Sequence, residues 1–170
     1  MSTYRPMELT DGEAVAALHA ESWRQTYRGI LTDDYLDGLV AEDRYAVWAE
    51  RLLDPEPNQY VLLAEEGEKL VGFISFYLDN DPDLGTLIDN FHVAPALKGR
   101  GIGAALWREG VRQVMPLAKQ TGLYLYVYEA NVPAILFYER MGGICISRNG
   151  YEPPGGGQAM ALCYKWEGLP

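Results

Sequence analysis

Hydrophobic positions along this chain change period repeatedly, and the changes divide it into helical and extended segments. An extended start at 3–9 suits a sheet edge, because Pro6 cannot donate to a ladder. Thr10-Asp11-Gly12-Glu13 reads as a capping box that opens a helix to about Arg24. Its small apolar face is Val15, Leu18 and Ser22, with Ala14 and Ala17. A second helical region spans about 33–53, with a break near Gly38, and Pro55 and Pro57 mark the loop after it. Apolar runs at 60–65 and 70–77 predict two strands joined as a hairpin through Glu66-Gly67-Glu68-Lys69. A turn at Asn80-Asp81-Pro82-Asp83 leads to a strand at 85–93. Then come a helix from Gly101 to about Gln120, which Pro116 should kink or end, and a β-rich run at 123–128. A short helix at 133–141 and strands at 143–148 and 158–166 complete the chain. The prediction is a mixed α/β (α+β) fold.

No linker, repeat or low-complexity run divides residues 1–170, and that length suits one domain with a real core. The formal charge of -10 argues against nucleic acid as a partner and favours a cationic substrate somewhat, although acidic surfaces commonly serve solubility. No run approaches the ~18 apolar residues of a membrane span, and the start Met1-Ser2-Thr3-Tyr4-Arg5-Pro6 lacks a signal-like apolar stretch. A cytoplasmic protein is expected, in which Cys145 and Cys163 are buried, reduced thiols without metal spacing.

The segment from Val93 to Ala104 carries the strongest chemical signal. An apolar strand runs there into a glycine-rich turn that opens a helix. Such a turn offers unpaired N–H groups and the positive end of a helix dipole to an anion. Gly101 and Gly103 have no side chains to hold a phosphate away, and Lys98 and Arg100 add positive charge. Gly99-Arg100-Gly101-Ile102-Gly103-Ala104 also fits the dinucleotide pattern G-x-G-x-x-G/A. That reading needs an acidic residue ~20 positions later for the ribose hydroxyls. Between Gln113 and Tyr128 there is none.

Downstream, Asn131 suits an N-cap, Pro133 a first helical turn and Gly142 a C-terminal stop. Asn131, Ala134 and Tyr138 fall near one stripe of that helix, where an amide and a phenol could meet a ligand or serve only as cap and half-buried core.

Together the two segments resemble the GCN5-related N-acetyltransferase (GNAT) superfamily. The family's phosphate motif [Q/R]-x-x-G-x-[G/A] corresponds to Lys98-Gly99-Arg100-Gly101-Ile102-Gly103, with Lys where Gln or Arg is usual, and Val93-Ala94-Pro95 matches the preceding Val-x-Pro. The later pattern matches at Asn131, Ala134, Phe137-Tyr138-Glu139 and Gly142, and Glu21 to Ile30 resembles a segment of one broad bacterial subgroup. The resemblance implies a mostly antiparallel central sheet of about six or seven strands, splayed at its centre by a bulge and flanked by helices. It implies acetyl-CoA as cosubstrate, no metal, and direct transfer to an amine. Phe91, His92 and Val93 would pair with the pantetheine arm, and an N–H near Val93 would meet the oxyanion. Turn N–H groups from Lys98 to Ala104 would hold the pyrophosphate, with Asn131 and Ala134 beside the cofactor. Tyr138 would protonate the leaving thiolate.

Asp89 is the best carboxylate candidate for the base, although a bulge would bring Asn90 or His92 to the site and ordered water also serves in many relatives. Trp23, Tyr27 and Tyr128 are candidate acceptor walls, as are Tyr35, Trp48 and Tyr77, with ordinary core packing as the competing reading. A silent CoA-binding domain is the alternative function. Homodimers are common in the family, but no motif here demonstrates one.

Overall fold

In a computed structural model, which describes residues 2–167, the extended runs form seven strands. These are β1 (Thr3–Pro6), β2 (Gln59–Glu66), β3 (Lys69–Asp81), β4 (Gly85–Val93), β5 (Leu123–Tyr128), β6 (Ile144–Tyr151) and β7 (Ala159–Trp166). They make one sheet in the order β1-β2-β3-β4-β5-β7-β6, antiparallel at every pairing except β4 with β5. Four helices flank it: α1 (Gly12–Thr26), α2 (Val40–Leu53), α3 (Ile102–Val114) and α4 (Val132–Arg140).

The unbroken apolar runs of β2 and β3 follow from burial on both faces. Leu62, Ile74 and Phe76 pack beneath α3 with Leu106, Val111 and Val114. Their neighbours Leu63 and Phe73 turn the other way, against Val15, Ala16 and Leu18 of α1 and Trp48 of α2. The edge strand β6, by contrast, is exposed along its whole length.

Several local expectations shift. The capping box lies earlier than expected: the Asp11 carboxylate accepts the Glu8 N–H at 2.8 Å and closes a short 3-10 turn over Leu9–Asp11, and α1 starts at Gly12 with no side-chain cap from Asp11. The buried face of α1 is Val15, Ala16, Leu18, His19, Ala20, Ser22 and Trp23, whereas Ala14 and Ala17 face solvent. A histidine and a tryptophan hide that stripe from any small-apolar pattern. The break expected near Gly38 is a π-helical turn over Tyr35–Leu39, and α3 stops at Val114, before Pro116. Cys163 is buried as expected, but Cys145 lies exposed on β6.

Between β4 and β5 only Thr86 with Leu123 and Leu87 with Tyr124 pair, after which the strands part. Their entry is very close. A Cβ on Gly122 would lie 2.4 Å from the Leu84 carbonyl oxygen, so no side chain fits there. A bulge on β4 then re-aims the strand: Ser75 pairs with Asn90 and Phe76 with Ile88, leaving Asp89 as the extra residue.

Gly122→Ala tests this junction, because the added methyl must push the two chains apart. We expect a loss of about 2 kcal/mol, read as a fall of about 4–8 °C in the thermal midpoint. Gly150→Ala, in open space on β6, should stay within about 0.5 kcal/mol of the parent. Equal midpoints for both variants would show that the close approach does not constrain the fold.

Candidate active site

Where β4 and β5 part, the backbone from Ile88 to Val93 has no partner on its β5 side. The gap opens into a cavity of about 670 Å³ lined by both strands, by α1 and α2 on one flank, and by α4 and β6 on the other. The open strand edge and the phosphate-type turn lie next to each other in the chain, since β4 ends at Val93 and α3 begins at Ile102.

The turn has the form an anion site needs. Gly101 holds the N-cap of α3 at φ 82°, a left-handed conformation that favours glycine, and Gly99 does the same at φ 81°. The N–H groups of Gly99, Arg100, Gly101, Ile102, Gly103 and Ala104 make no backbone hydrogen bond; the ladder resumes at Ala105 N–H to Gly101 O, 3.1 Å. The side chains behave differently. Lys98 Nζ donates to Thr26 Oγ1 at 3.0 Å on the cavity wall, and burial lowers its pKa from the usual lysine value. Arg100 pairs with Glu66 at 3.3 Å, and Ile102 is buried in the core. The turn therefore offers backbone donors more than cationic side chains.

Tyr138 and Asn131 both line the cavity. Asn131 occupies the N-cap position of α4, but its side chain makes no capping hydrogen bond, which leaves the amide to the cavity. Ala134 packs against the core instead. Tyr138 is 8% exposed among Trp107, Phe137 and Trp166, and burial raises its pKa well above the ordinary tyrosine value. The phenol is neutral and is a proton donor at any physiological pH.

Asp89, Asn90, Phe91, His92 and Val93 all line the cavity. Asp89 is not free: Arg51 Nη1 of α2 lies 2.8 Å from Oδ2, and the Asn90 amide donates to the same oxygen. Direct proton abstraction by Asp89 would compete with that ion pair. The imidazole of His92 meets Ser22 Oγ through Nδ1 at 2.9 Å, and its ring lies 4.6 Å from that of His19. His19 is fully buried, and its Nδ1 accepts from Trp48 Nε1 at 3.0 Å. An indole nitrogen can only donate, so neutral His19 carries its proton on Nε2. Desolvation pushes the His92 pKa down to about 3 and that of His19 well below the usual histidine value, with charge from Arg44 adding to both.

Of the aromatic candidates, Trp23, Tyr27 and Tyr128 line the cavity. They stack edge to face in series, Tyr128 to Tyr27 at 5.2 Å and Tyr27 to Trp23 at 5.4 Å. Tyr35 and Trp48 are buried core residues, and Tyr77 lies outside the lining beside Arg51. The sequence reading passed over Arg44 and Arg51. The only signal for them is their spacing of seven residues beside Val47 and Trp48, which puts both on the inward stripe of α2.

Comparisons with known proteins give the family and the fold. Residues 15–143 match the sequence profile of the Acetyltransferase (GNAT) family. The chain is 27% identical over 157 residues to the uncharacterized N-acetyltransferase YuaI of Bacillus subtilis, covering 91% of this chain and 87% of that protein. A GCN5-related N-acetyltransferase from Rhodopseudomonas palustris superposes with a TM-score of 0.76 at 22% identity, over 98% of this chain and 96% of that one. The PaiA N-acetyltransferase of Thermoplasma acidophilum, solved with coenzyme A, gives a TM-score of 0.75 at 20% identity, over 98% and 99%. Among the described residues no helix is long and apolar enough to cross a membrane.

The two histidines carry a pH signature. Their folded pKa values lie below those of the unfolded chain, so between about pH 3 and 6.5 the unfolded state binds more protons. Stability must therefore rise with pH through that window and level off above it. We expect a loss of about 3–4 kcal/mol between pH 7 and pH 5, about 2 kcal/mol from each imidazole, read in thermal melts, and about half that loss for His92→Asn. The carboxylates held low by their partners, Asp11 and Glu109 among them, add a loss of the same sign mainly below about pH 4.5, so the step from pH 7 to pH 5 reads chiefly the histidines. A midpoint unchanged from pH 7 to pH 5 would refute the assignment of neutral buried imidazoles.

Proposed function

The chain belongs to the acetyltransferase (GNAT) family, and on that premise we propose that it moves an acetyl group from acetyl-CoA directly to a primary amine of a small molecule or peptide. The observation that carries the reading is the junction of an unpaired β4 edge with a run of free turn N–H groups at the start of α3. An extended arm laid along β4 would gain main-chain hydrogen bonds as an added strand. Its pyrophosphate would meet the N–H groups from Gly99 to Ala104 at the positive end of the helix. Among neighbours of the same fold, the PaiA enzyme was solved with coenzyme A, which supports the same occupant here.

Acetyl-CoA supplies an activated thioester; the amine nitrogen forms a C–N bond to its carbonyl carbon, and the C–S bond breaks. The protein's part is mainly to position the two reactants. A backbone N–H near Val93 stabilises the oxyanion while it exists. Tyr138, neutral and buried, gives its hydroxyl proton or a strong hydrogen bond to the leaving sulfur. The amine proton leaves through ordered water, with Asp89 acting through that water, because its own carboxylate is held by Arg51 and Asn90. His92, with a pKa pushed to about 3, orients Ser22 and the wall and takes up no proton. Trp23, Tyr27 and Tyr128 wall the acceptor. The reaction belongs in the cytoplasm, with which two free thiols are consistent, and residues 1–170 act as one domain.

Two variants test this. Tyr138→Phe should slow turnover about 100-fold while the acetyl-CoA dissociation constant moves less than about threefold. Gly101→Glu, which puts a carboxylate and a Cβ where φ is 82°, should abolish calorimetric binding of acetyl-CoA, and NAD should bind neither protein. Binding that survives Gly101→Glu would sink the turn assignment. Acetyl-CoA binding without turnover of any amine would leave a CoA-binding domain.

A further inference from the structure

The charge of the cavity is opposite to that of the chain. The sequence holds 24 acidic and 14 basic residues, yet the charged groups lining the cavity are Arg44, Arg51 and Lys98 against Asp89 alone. Arg51 and Asp89 neutralise each other at 2.8 Å, and the Lys98 ammonium sits on Thr26 beside the turn. Arg44 remains. Its guanidinium lies 4.1 Å from the centre of the Trp23 ring, and its side chain is only 11% exposed. Its one hydrogen bond is from Nη2 to Asp43 Oδ2, at 3.0 Å. Asp43 is not part of the cavity lining and also accepts from the Tyr35 hydroxyl. Arg44 Nε is buried with no acceptor, and Nη1 makes no hydrogen bond among the described residues. Arg44 lines the cavity, and a guanidinium held by a carboxylate through one nitrogen only, with Nη1 unbonded, is half of an incomplete fork-to-fork pair.

We propose that the acceptor amine carries a carboxylate, as an α-amino acid with an apolar or aromatic side chain does, and that Arg44 binds that carboxylate while Trp23, Tyr27 and Tyr128 enclose the side chain. The proposal rests on the amine-acetylating reading above. A polycation would find no uncommitted carboxylate in this cavity, because the only one already holds Arg51. A second carboxylate would complete the donor set that Asp43 leaves open on Arg44, and the phenols of Tyr27 and Tyr128, kept neutral by burial, add donors and no competing anion. The overall acidity of the chain therefore misleads about its substrate: of the acidic residues only Asp89 lines the cavity, where it is ion-paired, and the cavity selects an anion.

The test is a matched acceptor panel read by release of free CoA thiol. L-Leucine, L-methionine, L-phenylalanine and L-glutamate are each compared with the corresponding amide and decarboxylated amine, with spermidine as a polycation. A second arm measures binding without turnover: N-acetyl-L-phenylalanine and N-acetyl-L-leucine, and their amides, are titrated calorimetrically into the protein with CoA present. At least one acid should exceed its amide by about 10–100-fold in kcat/KM or in affinity. Arg44→Gln should remove that ratio, Arg44→Lys should restore part of it, and acetyl-CoA affinity and the circular dichroism spectrum should not change. Acids and amides treated alike, spermidine preferred, no acid bound or acetylated, or a ratio that survives Arg44→Gln would each overturn the proposal. Turnover without acid preference leaves the acetyltransferase reading intact. Acid-selective binding of the N-acetyl products without turnover of any amine would overturn that reading, and with it the acceptor role, and would keep only the carboxylate site at Arg44.

Discussion

The divergence of β4 from β5 is the constraint on which the rest of the molecule depends. Two residue pairs hold the strands together at their entry, where glycine at 122 lets the backbones nearly touch, and beyond Leu87 they separate. A sheet does not open at its centre without a cause. Here the bulge at Asp89 turns β4 away, and α1 and α2 on one face and α3 on the other fix the half-sheets in their parted state. The gap is lined by side chains from both halves, so each half contributes to any chemistry done there. The turn at 99–104 is positioned by the same strand, because it is the continuation of β4 into α3.

Around this opening the polar interior is arranged in layers. The aromatic series from Tyr128 through Tyr27 to Trp23 ends on Arg44, and the paired imidazoles of His19 and His92 lie behind it. Burial keeps the imidazoles neutral, so the guanidiniums on α2 are the interior cations on that flank. Trp48 fixes the tautomer of His19, and Ser22 takes up one nitrogen of His92. These contacts stiffen the wall without adding charge to it.

What the sequence could show was local. The glycines at 99 and 101 announce a left-handed turn because few other residues adopt that backbone, and the strand–turn–helix order around them is written in consecutive residues. The run at 123–128 and the stripe from Asn131 to Tyr138 are legible for the same reason. The seven strands and four helices appear close to their predicted places, and the π-turn at Tyr35–Leu39 falls where Gly38 weakened the helical pattern. The illegible part is non-local. Nothing in the order of residues says that Arg51 will hold Asp89, that Trp48 will donate to His19, or that Arg44 will lie over Trp23. The inward face of α1 is legible in part: Val15, Leu18 and Ser22 are buried as their period predicts, but a buried histidine and tryptophan there look polar or bulky in a period count, while Ala14 and Ala17 look apolar and face water. Cys145 is exposed because, among the described residues, the edge strand β6 is open on both of its faces, which a residue count does not reveal.

The unpaired edge of β4 also bears on how long the folded chain lasts. Without an occupant, the carbonyls and amides from Ile88 to Val93 on that side can be satisfied only by water. The protein by itself is thus a sheet one strand short, and whatever molecule lays an extended arm along that edge completes a tertiary structure as well as filling a site. Occupancy adds RT ln(1 + [L]/Kd) to the stability of the fold, about 2.7 kcal/mol at a hundredfold excess over the dissociation constant. The half-life of such a protein would follow the supply of its own ligand: abundant ligand protects it, and starvation for that ligand exposes the cleft to local opening and to proteases.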